Sequence, residues 1–537
     1  MADKPYDLAI VGAGMAGCIL AARIAEKGVN PKTGEPLRVA LLEQGPYFKG
    51  DSGPGYGAPM RRQMFTNVSS DFEGRYMTRY GLPPGGGRRV PLRPDQEVFV
   101  SRTAAVVGGG SMLYTAITHV PYELDYEVWV KETGTDWTYQ NFKPAADEIN
   151  RMFNIHAKPP ELLCRLDHLF RDAARAMGYR PDDATIARKN CLYCGYCDGT
   201  NLCKYDARMG GFVSYMPIAL KHGVEVIPDA PVEKILIEKA GARPQVKGVA
   251  FTQHGSRRTL EVSKVILSAG TFGNPPVLYR SGCGPRELVE GEPIVENRNV
   301  GYHTDCRPSI DPLVGVFDEP VSSAEFHDGN VAGAYWVYHD TTPDRRYDRV
   351  EITIRGNELP APDRVAVNAA APDFGRTHRE YMRDVVKINA MTRAQREILS
   401  QGFADIRLVR PRTVRGWITE WGEHVYQGND PSILKPLEEG RRIAREMFKK
   451  MGAREVRGLD RPARVRGLPT WVGSCRPGVD PKESVINSHF ESHDIDGLFV
   501  CDASAVPRGA SQGYAGTVAV VAVFGASRIV DRHFKRG

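Results

Sequence analysis

The sequence contains no run of about 18 apolar residues, the length a helix needs to cross a bilayer, so no membrane span is expected. It has no block of one charge: 71 Lys and Arg stand against 65 Asp and Glu, a net +6 spread along the chain. Its basic pairs, Arg61-Arg62, Arg88-Arg89, Arg441-Arg442 and Lys449-Lys450, are short and accompany no recognition motif, which argues against a nucleic-acid partner. Cysteine is sparse, ten in 537 residues, far below the density of a disulfide-stapled secreted fold. Internal repeats and low-complexity tracts are lacking too. Met1-Ala2-Asp3-Lys4-Pro5 leads straight into a strand, with no apolar leader and no twin-arginine pair, so a cytoplasmic location is expected.

What is present is ordinary globular composition, 42% hydrophobic and 25% charged. The length exceeds one core, so two interleaved domains are expected. Residues 7–11 read as a short strand buried on both sides, and 15–27 as a helix stopped by Gly28. Residues 38–42 read as a second strand. The Gly- and Pro-rich stretch 48–94 reads as a long loop wrapping a site. Helices are expected at 141–153, 162–177 and 433–451, and strands at 224–227, 232–237, 246–251 and 265–267. The end returns to strand (498–500), glycine-rich turn (509–516) and helix (517–530). Nucleotide-type elements at both ends of a different middle imply an α/β domain built from separated pieces.

Gly12-Ala-Gly14-Met-Ala-Gly17 lies between the first strand and the first helix, the context a dinucleotide fingerprint requires. Gly12 permits the tight turn, Gly14 lets backbone approach a pyrophosphate, and Gly17 lets helix pack on strand. The helix N-terminus offers N–H groups to the phosphates. Glu43 ends the second strand, where a carboxylate can accept both ribose hydroxyls, and the loop 30–36 explains its extra distance. This motif alone does not separate FAD from NAD.

Further blocks do. Arg102-Thr-Ala-Ala-Val-Val-Gly-Gly-Gly-Ser111, then 125–129 and Asp136-Trp137, resemble the flavin-lining segment of the glucose–methanol–choline (GMC) oxidoreductases. Residues 265–284 are similar to the second GMC signature, departing at Asn274 (usually Ser or Thr) and Cys283. Asn299-Val-Gly301, Val472-Gly-Ser-Cys-Arg476 and 497–504 match later blocks in the right order, and the gluconate- and fructose-dehydrogenase-like branch is the most similar. The resemblance implies a Rossmann-like FAD-binding domain at 1–120, 205–310 and 465–537. It implies a mixed α+β substrate domain at 121–204 and 311–464. Beyond Gly12, Gly14, Gly17 and Glu43, it assigns cofactor contact to Arg102, Gly109, Ser111, Val232, Asp502 and Thr517. Where some relatives carry a flavin-linking His, this chain has Leu113, so FAD is expected to be noncovalent. The implied reaction is hydride abstraction from a CH–OH group of a small alcohol, sugar, polyol or sugar acid.

The family's catalytic pair is missing. The first His, three residues before the Gly-x-Cys-Arg block, falls on Thr470. The second, His or Asn, falls on Tyr514 or Gly513, ahead of Thr517. Threonine is too weak an acid to serve as a base, and tyrosine, with a pKa near ~10, could act only if a neighbour such as Arg476 lowered it. Three explanations stand: His424 of the substrate domain has taken over, the substrate oxidises easily, or the flavin serves a lyase, isomerase or decarboxylase reaction. A flavin-binding subunit with lapsed catalysis is a further class.

Cys191-Leu-Tyr-Cys194-Gly-Tyr-Cys197, followed by Cys203, can wrap thiolates around one iron–sulfur cluster. A zinc site, a disulfide pair and a plain thiol-lined loop are the alternatives. A cluster would pass flavin electrons one at a time to an electron-acceptor protein or small subunit.

Overall fold

A computed structural model describes the chain except residues 1–4, 48–76, 80–82, 84–85, 101, 113, 161–162, 192–202, 204–205, 240, 242, 323–335, 341–348, 357–392, 410–413, 428–429, 461, 464, 512 and 536–537. Five short strands form a wholly parallel sheet in the order Leu498–Val500, Val265–Leu267, Leu8–Val11, Val39–Leu42, Glu225–Ile227. Leu8, Ala9, Ile10 and Val11 are all buried, as a parallel strand covered on both faces must be. Strands from the start, middle and end of the chain thus meet in one sheet. The three-stranded antiparallel sheet Val232–Glu238, Gln245–Gln253, Ser256–Glu261 stands beside it.

The first helix, Met15–Lys27, packs against the last, Tyr514–His533. By length and composition the last helix is the one described helix able to cross a membrane, yet 72% of its apolar window is buried. It is a core helix. Phe142 of helix Tyr139–Met152 stacks on its Phe524 with centroids 3.8 Å apart, and Trp137 and Phe490 close the cluster. The stretch 121–204 therefore does not belong wholly to the substrate unit: Tyr126, Trp129 and Phe142 pack into the core of the parallel sheet.

The second sheet has ten strands and includes Gln96–Phe99, Thr304–Ser309 and Arg466–Val472. These three fall inside the stretches that sequence assigned to the FAD domain, because strand pairing over hundreds of residues leaves no local trace. Two neighbouring strands, Arg349–Gly356 and Gln401–Val409, show how the sheet divides. Val350, Ile352, Ile354, Ala404, Ile406 and Leu408 form one buried core with residues of helices Arg165–Ala176 and Pro431–Lys450. The alternate residues Glu351, Thr353, Asp405 and Arg407 share the opposite, polar face.

Phe524→Ala removes the ring that joins the last helix to the aromatic cluster. It is expected to destabilise the protein by about 3–5 kcal/mol, read from the shift of the urea unfolding midpoint.

Candidate active site

The fingerprint loop leaves no room for side chains. Gly12 has φ +99°, and a Cβ there would lie 2.5 Å from Ser268 O, while one on Gly17 would lie 1.9 Å from Gly12 O. A Cβ on Gly109 would sit 2.8 Å from Gly14 Cα, bringing the turn Gly109–Met112 onto the loop, and Ser111 Oγ donates to Gly108 O at 2.6 Å. Gly14, by contrast, faces open space, as does Gly110. An open backbone at a helix N-terminus, walled by close-packed glycines, fits the pyrophosphate of a dinucleotide.

Glu43 is buried and accepts from Ala13 N at 2.9 Å and Gly45 N at 3.1 Å, one bond to each oxygen. Each oxygen keeps a lone pair for a ribose hydroxyl. Ala230 N donates to Glu43 O at 2.8 Å, so the chain leading into Val232, the first residue of Val232–Glu238, runs beside this site. Arg102 lies in the strand Arg102–Ala104 paired with Met77–Arg79. Its side chain and Leu113 lie outside the described residues.

Asp502 is a knot between distant segments. Its Oδ2 accepts from Gly270 N at 2.6 Å and Asn274 Nδ2 at 2.9 Å, and its Oδ1 from Ser504 N at 2.7 Å and Ser504 Oγ at 2.6 Å. Asn274 also donates to Ser504 Oγ at 2.8 Å and accepts from Ala269 N at 2.9 Å. The departure at 274 is thereby explained: the amide donates two bonds and accepts one, whereas a hydroxyl has a single proton to donate. Burial raises the Asp502 carboxyl, and these donors oppose the rise.

The last helix starts at Tyr514 with Gly513 as its N-cap, three residues earlier than its sequence pattern indicates. Gly516 is the reason for a glycine inside the first turn, since a Cβ there would meet His119 O at 2.0 Å. The preceding loop is pinned by Asp305, which accepts from Gly509 N at 2.8 Å, and by Asp125, which accepts from Ser511 N at 3.0 Å. Trp129 Nε1 adds a bond to Arg508 O at 2.9 Å. Tyr514 Oη and Thr517 Oγ1 are buried without a hydrogen-bond partner among the described residues. A ligand at this helix start would complete them.

The Arg307 guanidinium lies 5.5 Å from the Tyr514 ring centroid. Burial pushes the Tyr514 hydroxyl well above its ordinary value; Asp305 adds to the rise and Arg307 only opposes it. Tyr514 is therefore a neutral phenol, and the lowering by Arg476 that base chemistry would need does not occur. His424 is held in the ten-stranded sheet: burial lowers it to about 3, its Nε2 is bonded to Thr304 Oγ1 at 2.7 Å, and its ring packs on Trp471 at 3.9 Å. Thr470 lies on the adjoining strand Arg466–Val472, with its side chain outside the described residues.

Sequence reading missed His119. Its Nδ1 pairs with Thr185 Oγ1 at 2.8 Å, its carbonyl abuts Gly516, and burial with the Arg307 charge lowers it to about 4. No spacing signal marks it, because its neighbours come from residues 185, 307 and 516.

Of the cysteine cluster, Cys194 and Cys197 lie outside the described residues. Cys191 Sγ stands 4.0 Å from Arg188 Nη1, and Cys203 Sγ accepts from Ala207 N at 3.4 Å. Among the described residues no group of three or more metal-ligating side chains forms.

Burial raises the Glu43 carboxyl from 4.5 to about 7, against the backbone N–H groups of Ala13, Gly45 and Gln44. The unfolded chain ionises this group first, so its contribution to stability is whole below pH 4.5 and is lost as pH climbs through about 7. Cofactor-free protein is expected to lose thermal stability between about pH 5 and pH 7.5, and Glu43→Gln to flatten that slope. The same variant is expected to weaken FAD affinity about tenfold, checked by titration, since it loses charge-assisted bonds worth about 1.5 kcal/mol.

The family described as GMC oxidoreductase matches this chain over residues 6–308 in its N-terminal part and 424–522 in its C-terminal part. The oxygen-dependent choline dehydrogenase of Pectobacterium carotovorum subsp. carotovorum is 25% identical, covering 99% of this chain and 95% of that protein. The gluconate 2-dehydrogenase flavoprotein of Pantoea cypripedii is 22% identical over 99% of this chain and 94% of its own length. The crystal structure of pyridoxine 4-oxidase from Mesorbium loti superposes with a TM-score of 0.67 at 16% identity, over 98% of this chain and 100% of that one. With the fingerprint loop, the Glu43 site and both family segments in place, the chain belongs to the GMC oxidoreductases, FAD-dependent enzymes acting on CH–OH groups.

Proposed function

We propose that the protein dehydrogenates a small, hydroxyl-rich alcohol, a sugar, polyol or sugar acid, rather than a long aliphatic one. The observation that carries this reading is the position of Arg307. It lies over Tyr514 at the start of the last helix and also pairs with Glu351 at 3.2 Å. Glu351 pairs in turn with Arg407 at 3.1 Å, and Asp405 with Arg355 at 3.0 Å. The polar face of the ten-stranded sheet thus continues to the helix start, and charged groups held in place there suit a substrate that presents several hydroxyls.

Bound FAD supplies the hydride acceptor. The chain's own residues orient the substrate and take its hydroxyl proton. Tyr514, neutral, donates a hydrogen bond from its buried hydroxyl. His119 accepts the proton, since it is unprotonated above about pH 4 and lies beside Arg307 and the first turn of the last helix. We further propose that the segment from Cys191 to Cys203 holds an iron–sulfur cluster as the electron outlet, on the strength of its cysteine spacing. The competing reading, a flavin reaction without net oxidation, is motivated by Thr470 standing where the family has its histidine.

An anaerobic spectrum recorded while sugars, polyols, sugar acids and aromatic alcohols are added separates them. One compound is expected to bleach the flavin bands; a panel that leaves them intact, in protein that dithionite still reduces, defeats the dehydrogenase reading. Absorbance filling the trough between the bands, with iron by metal analysis, checks the cluster. With the reducing compound in hand, the rate is expected to fall as pH drops through about 4, with no limb from His424. His119→Gln is expected to slow it by about 10²–10⁴-fold. Tyr514→Phe should stay within about threefold, because a neutral phenol is not the base but contributes one hydrogen bond.

A further inference from the structure

Arg208 presents a charge that no acidic side chain among the described residues is seen to balance. It is only 3% exposed. Its one hydrogen bond among the described residues runs from Nη1 to Met112 O at 3.1 Å, and its Nε and Nη2 are buried without an acceptor. A second buried guanidinium, Arg188, faces it across an antiparallel bridge, which makes the neighbourhood more positive. Burial raises the nearby Tyr114 hydroxyl, and both arginines pull it back. A buried cation left with one neutral acceptor is strongly unfavourable unless an anion completes it.

The position narrows which anion. Met112 ends the turn Gly109–Met112 that rests on Gly14. The chain following Arg208 then threads along the cofactor cradle. A Cβ on Gly210 would lie 3.0 Å from Ser111 Cβ, one on Gly211 would lie 2.6 Å from Met15 O, and Tyr114 donates to Met209 O. Arg208 is therefore fastened to the two segments that wall the dinucleotide loop, and not to the polar sheet face proposed for substrate.

We propose that Arg208 is the counter-charge of the flavin. When a C–H bond of the substrate breaks and its hydride passes to FAD, the hydroxyl proton leaves to a base and the substrate becomes a carbonyl. Bound FAD would take up the two electrons and with them a negative charge. Arg208 offsets that charge, which raises the reduction potential and the affinity of the oxidised ring system for anions. This rests on the FAD dependence of the family and deepens it by assigning a residue outside the fingerprint. Arg208 is a charge-compensating and positioning residue, and no proton transfer passes through it.

The test uses FAD-loaded protein and two variants. Arg208→Gln keeps a donor for Met112 O and removes the charge; Arg208→Lys keeps the charge. Potentials are measured by dye equilibration, and sulfite binding by loss of the oxidised flavin band. Arg208→Gln is expected to shift the reduction equilibrium about tenfold toward oxidised FAD, about 30 mV for a two-electron couple. Its sulfite dissociation constant is expected to rise about tenfold in parallel, with Arg208→Lys recovering most of both changes. An Arg208→Gln protein that binds FAD and keeps wild-type potential and sulfite affinity overturns the proposal. So does a variant whose only defect is a higher KM, which would give Arg208 to the substrate. Wild-type protein that shows no flavin bands after reconstitution would overturn the FAD reading itself, a different result from flavin bands with an unmoved potential.

Discussion

The structure depends on main chain touching main chain with no side chain between. At Gly12 the loop meets Ser268, at Gly45 a Cβ would sit 1.6 Å from Ala105 O, and at Gly211 and Gly516 the chain abuts Met15 and His119. These contacts join residues spread from position 12 to position 516, and nearly all of them surround the N-terminus of the first helix. A methyl group at any one would overlap backbone atoms that cannot turn aside as a side chain would. The helix dipole and its open N–H groups are thus presented in a cradle assembled from distant segments. The discontinuous architecture follows, because no contiguous stretch supplies all the walls.

Bringing those walls together buries polar groups, and the protein treats them in two ways. Asp502 receives four donors from its own chain, so it serves the fold whether or not anything is bound. Tyr514 Oη, Thr517 Oγ1 and two nitrogens of Arg208 have no acceptor or donor among the described residues. Leaving such atoms unmade costs about 1–3 kcal/mol each, more for a charged group. A ligand that completes them is bound by the folded state alone, and its affinity becomes folding stability. The contrast between saturated Asp502 and the unsaturated set separates scaffold from site without reference to any bound molecule.

Much of this was legible in the sequence, and the reasons are local. The fingerprint, Glu43 and the buried strands at 265–267 and 498–500 announce themselves by spacing within a few residues of one another. What stayed hidden depends on pairing across the chain. The bond that holds His424 comes from Thr304, 120 residues earlier, on another strand of the sheet. Gly516 reads as part of a turn and is instead inside a helix, because its reason for being glycine is His119, nearly four hundred residues earlier. His119 and Arg208 carry no motif at all. Each is a single residue made significant by burial and by neighbours from other segments.

The absent histidine pair is then less paradoxical than the sequence suggests. A general base contributes about 10²–10⁴-fold, whereas positioned charges and dipoles account for the larger part of many rate enhancements. This chain keeps the larger part: an open helix N-terminus, a second helix start with buried polar atoms, and Arg307 joined to a charged sheet face. On the proposed reading, Arg307 would also stabilise developing negative charge on a substrate oxygen and so lower the demand on the base. A weak, buried imidazole suffices when the proton it takes has already been made more acidic. On that reading the departure at Thr470 would change how the proton leaves, while the cradle that fits the cofactor is kept.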